Sequence, residues 1–371
     1  MTIDEKSITG SLLGTAVGDA LGLPMEGLSR ARIARMYPEA TRSATSGHRL
    51  VFGRGMVSDD TEHACMTARA LAASGGRVED FTRRLAGGLK KWLSALPAGV
   101  GLATLRAVVK LMLFVPPARS GVFSAGNGPA MRSPIIGVCL GGDPEKLKAL
   151  VSASTTITHT DPRAWWGALA AALAAHMSAQ TAARAAMQGT VSDARTDGKE
   201  FISRLEKLLH GEDAGEFVAL MKKTVESAAS GADTAAFADS IGLSRGVGGY
   251  IYHTTAAVIH EWLISPRDFR QAVTAIIALG GDTDTTAAIL GGIIGAGVGK
   301  EGIPQEWIAG ICDWPLCVGW IERLSMALHE SLRLEKPVRP PSLFYPFVAA
   351  RNFVFLLIVL AHGFRRLFPP Y

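Results

Sequence analysis

Helical periodicity with no strand alternation is what most limits the fold of this chain. Ile8, Leu12, Leu13, Ala16, Val17, Ala20 and Leu21 share one face of a helix over 7–22. Similar patterns cover 78–96 and 100–115, Ala164 to about Gln188, Ile251–Ile264, and Pro266 to about Ala278. Prolines 97, 116 and 117 act as stops. No stretch reads as successive strands and none alternates β-α-β, so the expectation is an all-α domain of many short to medium helices. The 41 glycines recur inside helical patterns, which implies helices packed at short range. Residues 30–57 read as a Gly/Arg-rich loop and 189–232 as charged surface helices.

Two helix starts carry more oxygen than a cap needs. Gly280-Gly281-Asp282-Thr283-Asp284-Thr285-Thr286 runs into the apolar segment Ala287 to Ile294. One Asp or Thr is enough to accept the free first-turn amides, and the remaining carboxylate and hydroxyls suit a hard divalent cation. Two readings stand for this stretch taken alone: an over-capped helix behind a Gly-Gly turn, or half of a cation site. Ser58-Asp59-Asp60-Thr61-Glu62-His63 repeats the pattern before a helix containing Ala64, Met66, Thr67, Ala70 and Leu71. Adjacent carboxylates repel without a counter-charge. An exposed helix N-terminus relieves that by itself. Two such clusters in one chain favour a cation whose shell both would fill.

Three further motifs carry weaker signals. Glu26 follows Gly22-Leu23-Pro24, so it is an acid on a connection, ordinarily a solvated one. Gly126-Asn127-Gly128, with Ser124 just ahead, forms a backbone-exposing loop that leads toward a helix. Such loops present amides to phosphate, or are plain turns; no Gly-Lys-Ser/Thr and no Gly-x-Gly-x-x-Gly is present. His159 stands two residues before the Asp161-Pro162 helix start, as a cap, a structural histidine or a ligand-facing one. Gly248-Gly249-Tyr250 enters another helix.

Charge is distributed unevenly. Residues 333–371 carry six cations and one anion, which is the whole net charge of +5, so the body gives no reason to expect nucleic acid. This tail holds eight of the chain's 26 aromatic residues and nine unbroken apolar residues from Phe353 to Ala361. Nine is short of the ~20 needed to span a bilayer. The tail reads as a helix packed on the domain, with a membrane surface or a partner protein as alternative seats. Four cysteines without Cys-x-x-Cys pairing, and no secretory pattern ahead of the first helix, lead to the expectation of a reducing cytoplasm.

Taken in order, Gly18-Asp19-Ala20-Leu21-Gly22 with Glu26, Ser58-Asp59-Asp60-Thr61, Gly126 to Arg132, Thr158-His159, Gly249-Tyr250 and Gly280 to Thr285 resemble the ADP-ribosylglycohydrolases over roughly residues 7–318. That family includes the dinitrogenase-reductase-activating glycohydrolases and the ADP-ribosyl-acceptor hydrolases. The resemblance implies an all-α fold with two Mg²⁺ or Mn²⁺ ions in a cleft, and a catalytic domain over 1–332 followed by the tail. It places Ser58, Asp59, Asp60, Asp282, Asp284 and Thr285 as metal ligands. Glu26, on a mobile loop near the scissile bond, would act with Asp59 and Asp60 in catalysis. Ser124, Gly126, Asn127 and Gly128 would line the diphosphate and ribose, and His159 and Tyr250 the rest of the ADP-ribose. Ser58 departs from the family's usual Thr but keeps the hydroxyl. The implied reaction removes ADP-ribose from a modified protein side chain, arginine first. Serine-linked or small-molecule ADP-ribosyl compounds, immunity against an ADP-ribosylating toxin, and non-catalytic ADP-ribose binding are the alternatives.

Overall fold

A computed structural model describes residues 4–38, 47–189 and 196–368; positions 190–195, the last three residues and part of the expected 30–57 loop lie outside the described residues. The fold is all-α, as the periodicity requires. α1 (Glu5–Gly22) leads to a short strand β1 (Leu28–Ser29) and to α2 (Arg30–Met36). α2 lies in what reads as loop, because its seven residues bury only Ile33 and leave no periodic stripe. α3 (Asp59–Ser74), α4 (Val78–Ser94) and α5 (Leu102–Met112) follow. Three short helices, α6 (Pro117–Ser120), α7 (Gly128–Met131) and α8 (Pro134–Leu140), and then α9 (Pro144–Thr156) lead to α10 (Pro162–Gln188). α11 (Gly198–Leu208), α12 (Gly215–Ala229) and α13 (Thr234–Ser240) precede α14 (Ile251–Ile264), α15 (Phe269–Ala278), strand β2 (Gly280–Gly281) and α16 (Thr283–Val298). α17 (Gln305–Gly310), α18 (Val318–Leu334) and α19 (Tyr345–Arg365) end the chain.

The axis of the core is the antiparallel pair α1–α16. A Cβ placed on Gly10, Gly14, Gly18 or Gly22 would lie 2.1–2.3 Å from a backbone carbonyl of Gly295, Gly291, Ala287 or Thr283. Glycine at every fourth position puts four bare backbone patches on one face of α1. The two backbones touch there, and no larger side chain fits without moving them. The glycines that suggest short-range packing in the sequence do this work. The contact also fixes the site, because it sets Asp19, on α1, beside the N-terminus of α16.

β1 and β2 are the only paired strands among the described residues. They run antiparallel, with Leu28 opposite Gly281 and Ser29 opposite Gly280. On its other edge β2 meets Val247: the Val247 amide donates to Gly280 O at 2.9 Å and the Asp282 amide to Val247 O at 2.7 Å. The Gly-Gly pair, expected to be a tight turn, is thus the middle of three short extended segments. Gly281 has φ +87, and a Cβ on it would sit 2.1 Å from Val247 O, so only glycine fits.

The tail is integral to the fold. α19 is 21 residues long and lays Val348, Arg351, Asn352 and Phe355 into the protein. Its most apolar 18-residue window has mean hydropathy 1.9 with 22% of it buried, so by length and composition it exceeds what the nine-residue run suggests. Its two polar inward residues are both bonded to the body. The Arg351 guanidinium binds Asp313, Val57 O and Glu62, and Asn352 Nδ2 donates to Ala95 O at 2.8 Å.

Candidate active site

The two acidic helix starts meet. Ser58 caps α3, its Oγ accepting from the Asp60 amide at 3.3 Å. Asp282 occupies the cap position of α16 but makes no side-chain capping bond; its Oδ2 instead accepts from Asn127 Nδ2 at 2.7 Å. The over-capped reading therefore fails for Asp282. Asp284 Oδ1 accepts from the next amide, Thr285 N, at 3.0 Å. Thr285 Oγ1 donates to Asp60 Oδ2 at 3.1 Å and ties one helix start to the other across 225 residues of sequence.

Asp19 is the carboxylate that the sequence reading left without a role. It is wholly buried, and its Oδ2 accepts from Ser58 N at 2.8 Å, Thr61 N at 3.1 Å and Thr61 Oγ1 at 2.5 Å. It therefore does from α1 what a cap does from within the chain, and it fixes the orientation of the Ser58–Thr61 turn. The signal for it lay in the pattern: an acid in the middle of an otherwise apolar helical face needs a partner or a function.

The electrostatics are one-sided. Burial raises the Asp19 pKa to about 6 against the hydrogen bonds from Thr61 and Ser58. Asp59, Asp60 and Asp284 are pushed well above the usual carboxylate range, first by burial and then by one another and by Glu26 and Asp19. Glu26 is an exposed residue, but its carboxyl end is crowded by protein. Its pKa goes up through desolvation and then through Asp282, with Arg366 pulling the other way. No described Lys, Arg or His forms an ion pair with Asp19, Asp59, Asp60, Asp282 or Asp284. Asp19 Oδ1 and Asp60 Oδ1 are buried without a hydrogen-bond partner. An all-oxygen donor set with orphaned, buried carboxylate oxygens and no ion-paired cation fits a hard divalent cation. Among the described residues no three carboxylates, imidazoles or thiolates already converge on a single point, so ligation would draw the side chains inward.

A second wall faces the carboxylates. Asn127 holds it to them, because its Nδ2 also donates to Thr254 Oγ1 at 3.1 Å while its backbone amide donates to Gly249 O at 3.0 Å. Gly126 is bridged to Tyr250 and Val122 to His159. Ser124 Oγ accepts from the Gly126 amide at 3.3 Å. A Cβ on Gly126 or Gly128 would stand 3.1–3.2 Å from Nε2 or Cε1 of His159, so the far end of the imidazole packs against this loop. Burial and Arg132 push the His159 pKa down to about 3, and the ring is neutral. Arg132, wholly buried, binds Ser154 and Thr158, and Thr158 Oγ1 lies 2.9 Å from His159 Nδ1. Ser124, Gly126, Asn127, Gly128, His159 and Tyr250 thus form one surface, and Arg132 is its buried prop.

Glu26 approaches the carboxylate wall from a third side. Gly27 N donates to Gly281 O at 2.7 Å, so its loop hangs from β2. The tail holds the same loop: Arg366 donates to Glu26 O at 2.8 Å and Pro24 O at 2.6 Å. Behind α3, Arg351 reaches Val57 O while Asp313 Oδ2 accepts from the Val57 amide at 3.0 Å. The residue before Ser58 is therefore clamped on both backbone groups.

The comparisons agree with this architecture. The model of the ADP-ribosylglycohydrolase family matches residues 2–337, and the chain belongs to that family. Its members are ADP-ribosyl hydrolases. Among similar proteins is the ADP-ribosyl-[dinitrogen reductase] glycohydrolase of Rhodospirillum rubrum, 27% identical over 87% of this chain and 92% of that one. The ADP-ribosylhydrolase ARH3 of Gallus gallus is 27% identical over 80% and 87%. A solved ADP-ribosylglycohydrolase-related protein complex contains a chain that superimposes with a TM-score of 0.63 at 24% identity, covering 88% of this chain and 98% of that one, which shows the shared fold.

Proposed function

We propose that this protein hydrolyses the glycosidic bond between ADP-ribose and a modified protein side chain, arginine foremost, with two Mg²⁺ or Mn²⁺ ions held by Ser58, Asp59, Asp60, Asp282, Asp284 and Thr285. The observation that carries the reading is the buried carboxylate group without a counter-charge, with Asp60 Oδ1 unpartnered at its centre. A relative named for an ADP-ribosylated protein, dinitrogen reductase, supports a protein substrate.

The chain's own residues divide the work. The Gly126–Gly128 loop and the neutral His159 ring offer amides and a flat face to the diphosphate and ribose. Asn127 sets the distance between that loop and Asp282. Glu26, its pKa raised, is suited to take a proton from the attacking water or give one to the departing side-chain nitrogen or oxygen, beside the anomeric carbon where an oxocarbenium-like state forms. Positioned acid–base groups of this kind contribute roughly 10²–10⁴-fold. Bound metal would supply Lewis acidity to orient ribose hydroxyls and a water.

The test is turnover of arginine-, serine- and O-acetyl-linked ADP-ribose in Mg²⁺, in Mn²⁺ and in chelator. Release of ADP-ribose from the arginine conjugate, lost in chelator and restored by metal, is the expected result. Preference for the serine or acetyl conjugate would replace the acceptor and keep the mechanism. Undiminished turnover in chelator, or binding without turnover of any conjugate, would sink the reading.

A further inference from the structure

α19 buries one side and leaves the other bare. Phe353, Leu357, Leu360, Phe364 and Leu367 are 52–65% exposed, far more than scattered surface apolar residues require. Helical spacing puts Phe353, Leu356 and Leu360 eight, eleven and fifteen residues beyond Tyr345, on the same flank of the helix. At the Tyr345 end of that stripe lies a groove of about 480 Å³ lined by Arg69, Arg84, Lys91 and Arg339, with no carboxylate in its wall. None of these four forms an ion pair among the described residues. Arg69 Nε is buried without a hydrogen-bond partner, and Lys91 Nζ sits 5.8 Å over the Tyr345 ring. The acid Asp80 is ion-paired to Arg77 and Arg83 and acts on Arg84 only through space.

We infer that α19 is an interfacial helix that lies on an anionic phospholipid surface, with the basic groove receiving the phosphate headgroups. An apolar stripe beginning at a pocket of unpaired cations matches the two layers of a membrane surface, acyl chains beside phosphates. The helix lies on the membrane and does not cross it, because Arg351 and Asn352 hold its inner side to the protein. The family match ends at residue 337, so the apolar stripe and Arg339 lie outside it, while Arg69, Arg84 and Lys91 lie within it.

Flotation of the full chain with vesicles tests it. Binding to phosphatidylcholine mixed with phosphatidylglycerol, at least tenfold weaker on phosphatidylcholine alone and weakened by high salt, is expected. Arg84→Glu with Arg339→Glu, and separately Phe353→Ser with Leu360→Ser, should each reduce that binding at least tenfold. Both pairs are on the surface and away from the carboxylate walls, so circular dichroism and turnover in solution stay as in the parent. Equal binding to neutral and anionic vesicles overturns the inference. So does calorimetric binding of inorganic phosphate without vesicle binding, which makes the groove a soluble-anion site. Survival of vesicle-bound protein through alkaline carbonate extraction makes the helix a spanning one and also overturns it. A dimer in solution that the Phe353/Leu360 pair dissolves, without vesicle binding, assigns the face to a second copy instead.

Discussion

The two walls of the candidate site are built in opposite ways. The carboxylate wall consists of two helix starts, α3 and α16, locked by the backbone contact of α1 with α16 and by Asp19. The facing wall consists of loops: a glycine turn, a bridge to Tyr250, and a histidine ring propped from behind by Arg132. One wall puts charge at fixed positions, which electrostatic catalysis needs. The other offers backbone and flat surfaces, which binding a large nucleotide needs. Two side-chain contacts link them: Asn127 Nδ2 donates to Asp282, and behind the site Arg132 Nη1 lies 3.3 Å from His63 Nδ1 on α3. Function should therefore divide: damage to the first wall removes chemistry, and damage to the second loosens substrate.

The largest expected effect lies in the first wall. Asp60→Ala or Asp284→Ala should lower kcat by roughly 10²–10³-fold or more, the scale of losing a preorganised electrostatic group, and abolish the rise in Tm that Mg²⁺ or Mn²⁺ produces in the parent. Full turnover in either variant would remove the carboxylate wall from the mechanism. Next is Gly18→Val, which sets new atoms against the Ala287 carbonyl, 2.1 Å from where its Cβ must lie. Overpacking of this kind costs about 1–3 kcal/mol or more, so Tm should fall by several degrees. An unchanged Tm would mean that α1 and α16 are not held backbone to backbone.

Asn127→Ala probes the link. It removes a bond to a charged group worth about 1.5–3 kcal/mol and should raise KM about tenfold while metal-induced stabilisation persists. Loss of the metal response would mean that Asn127 serves the first wall only. The smallest effect concerns α14, which Tyr250 enters. Glu261, on that helix, has its pKa raised by burial to about 7. His260 beside it is pushed down to about 4 by burial, so it is neutral above that pH. A carboxyl whose folded pKa lies above its unfolded value holds its proton more tightly in the fold. The stabilisation is complete below pH ~4.5 and is lost as pH rises through 7. Glu261→Gln should flatten this slope, gaining a few degrees of Tm on the parent between pH 5 and pH 8 in thermal melts. Parallel melts at both pH values would show that Glu261 is ionised throughout.

Much of this was legible before any coordinates. The helix starts at Ser58 and Asp282 announced themselves by carrying more oxygens than a cap uses, and the order of the motifs supplied the family. The glycines of α1 showed as a four-residue spacing. Asp19, Arg132 and Arg351 were not legible as site residues. Asp19 lies within a helical pattern, Arg132 at the end of a loop motif and Arg351 at the edge of an apolar run, and the meaning of each depends on partners 22 to 294 residues away. The tail was misjudged in length for a similar reason. Counting unbroken apolar residues stops at Arg351 and Asn352, which in the fold are the residues that hold α19 in place.

Local chemistry thus determined the elements: periodicity made the helices, surplus oxygens marked their functional ends, and glycine spacing set how near two helices can come. Only the tertiary structure decided which ends meet. It placed Thr285 on Asp60, slid Gly280-Gly281 between Leu28 and Val247, and hung the Glu26 loop from both β2 and Arg366. Side-chain partners across hundreds of residues are chosen by packing. A sequence states what each residue offers, and the fold determines what it meets.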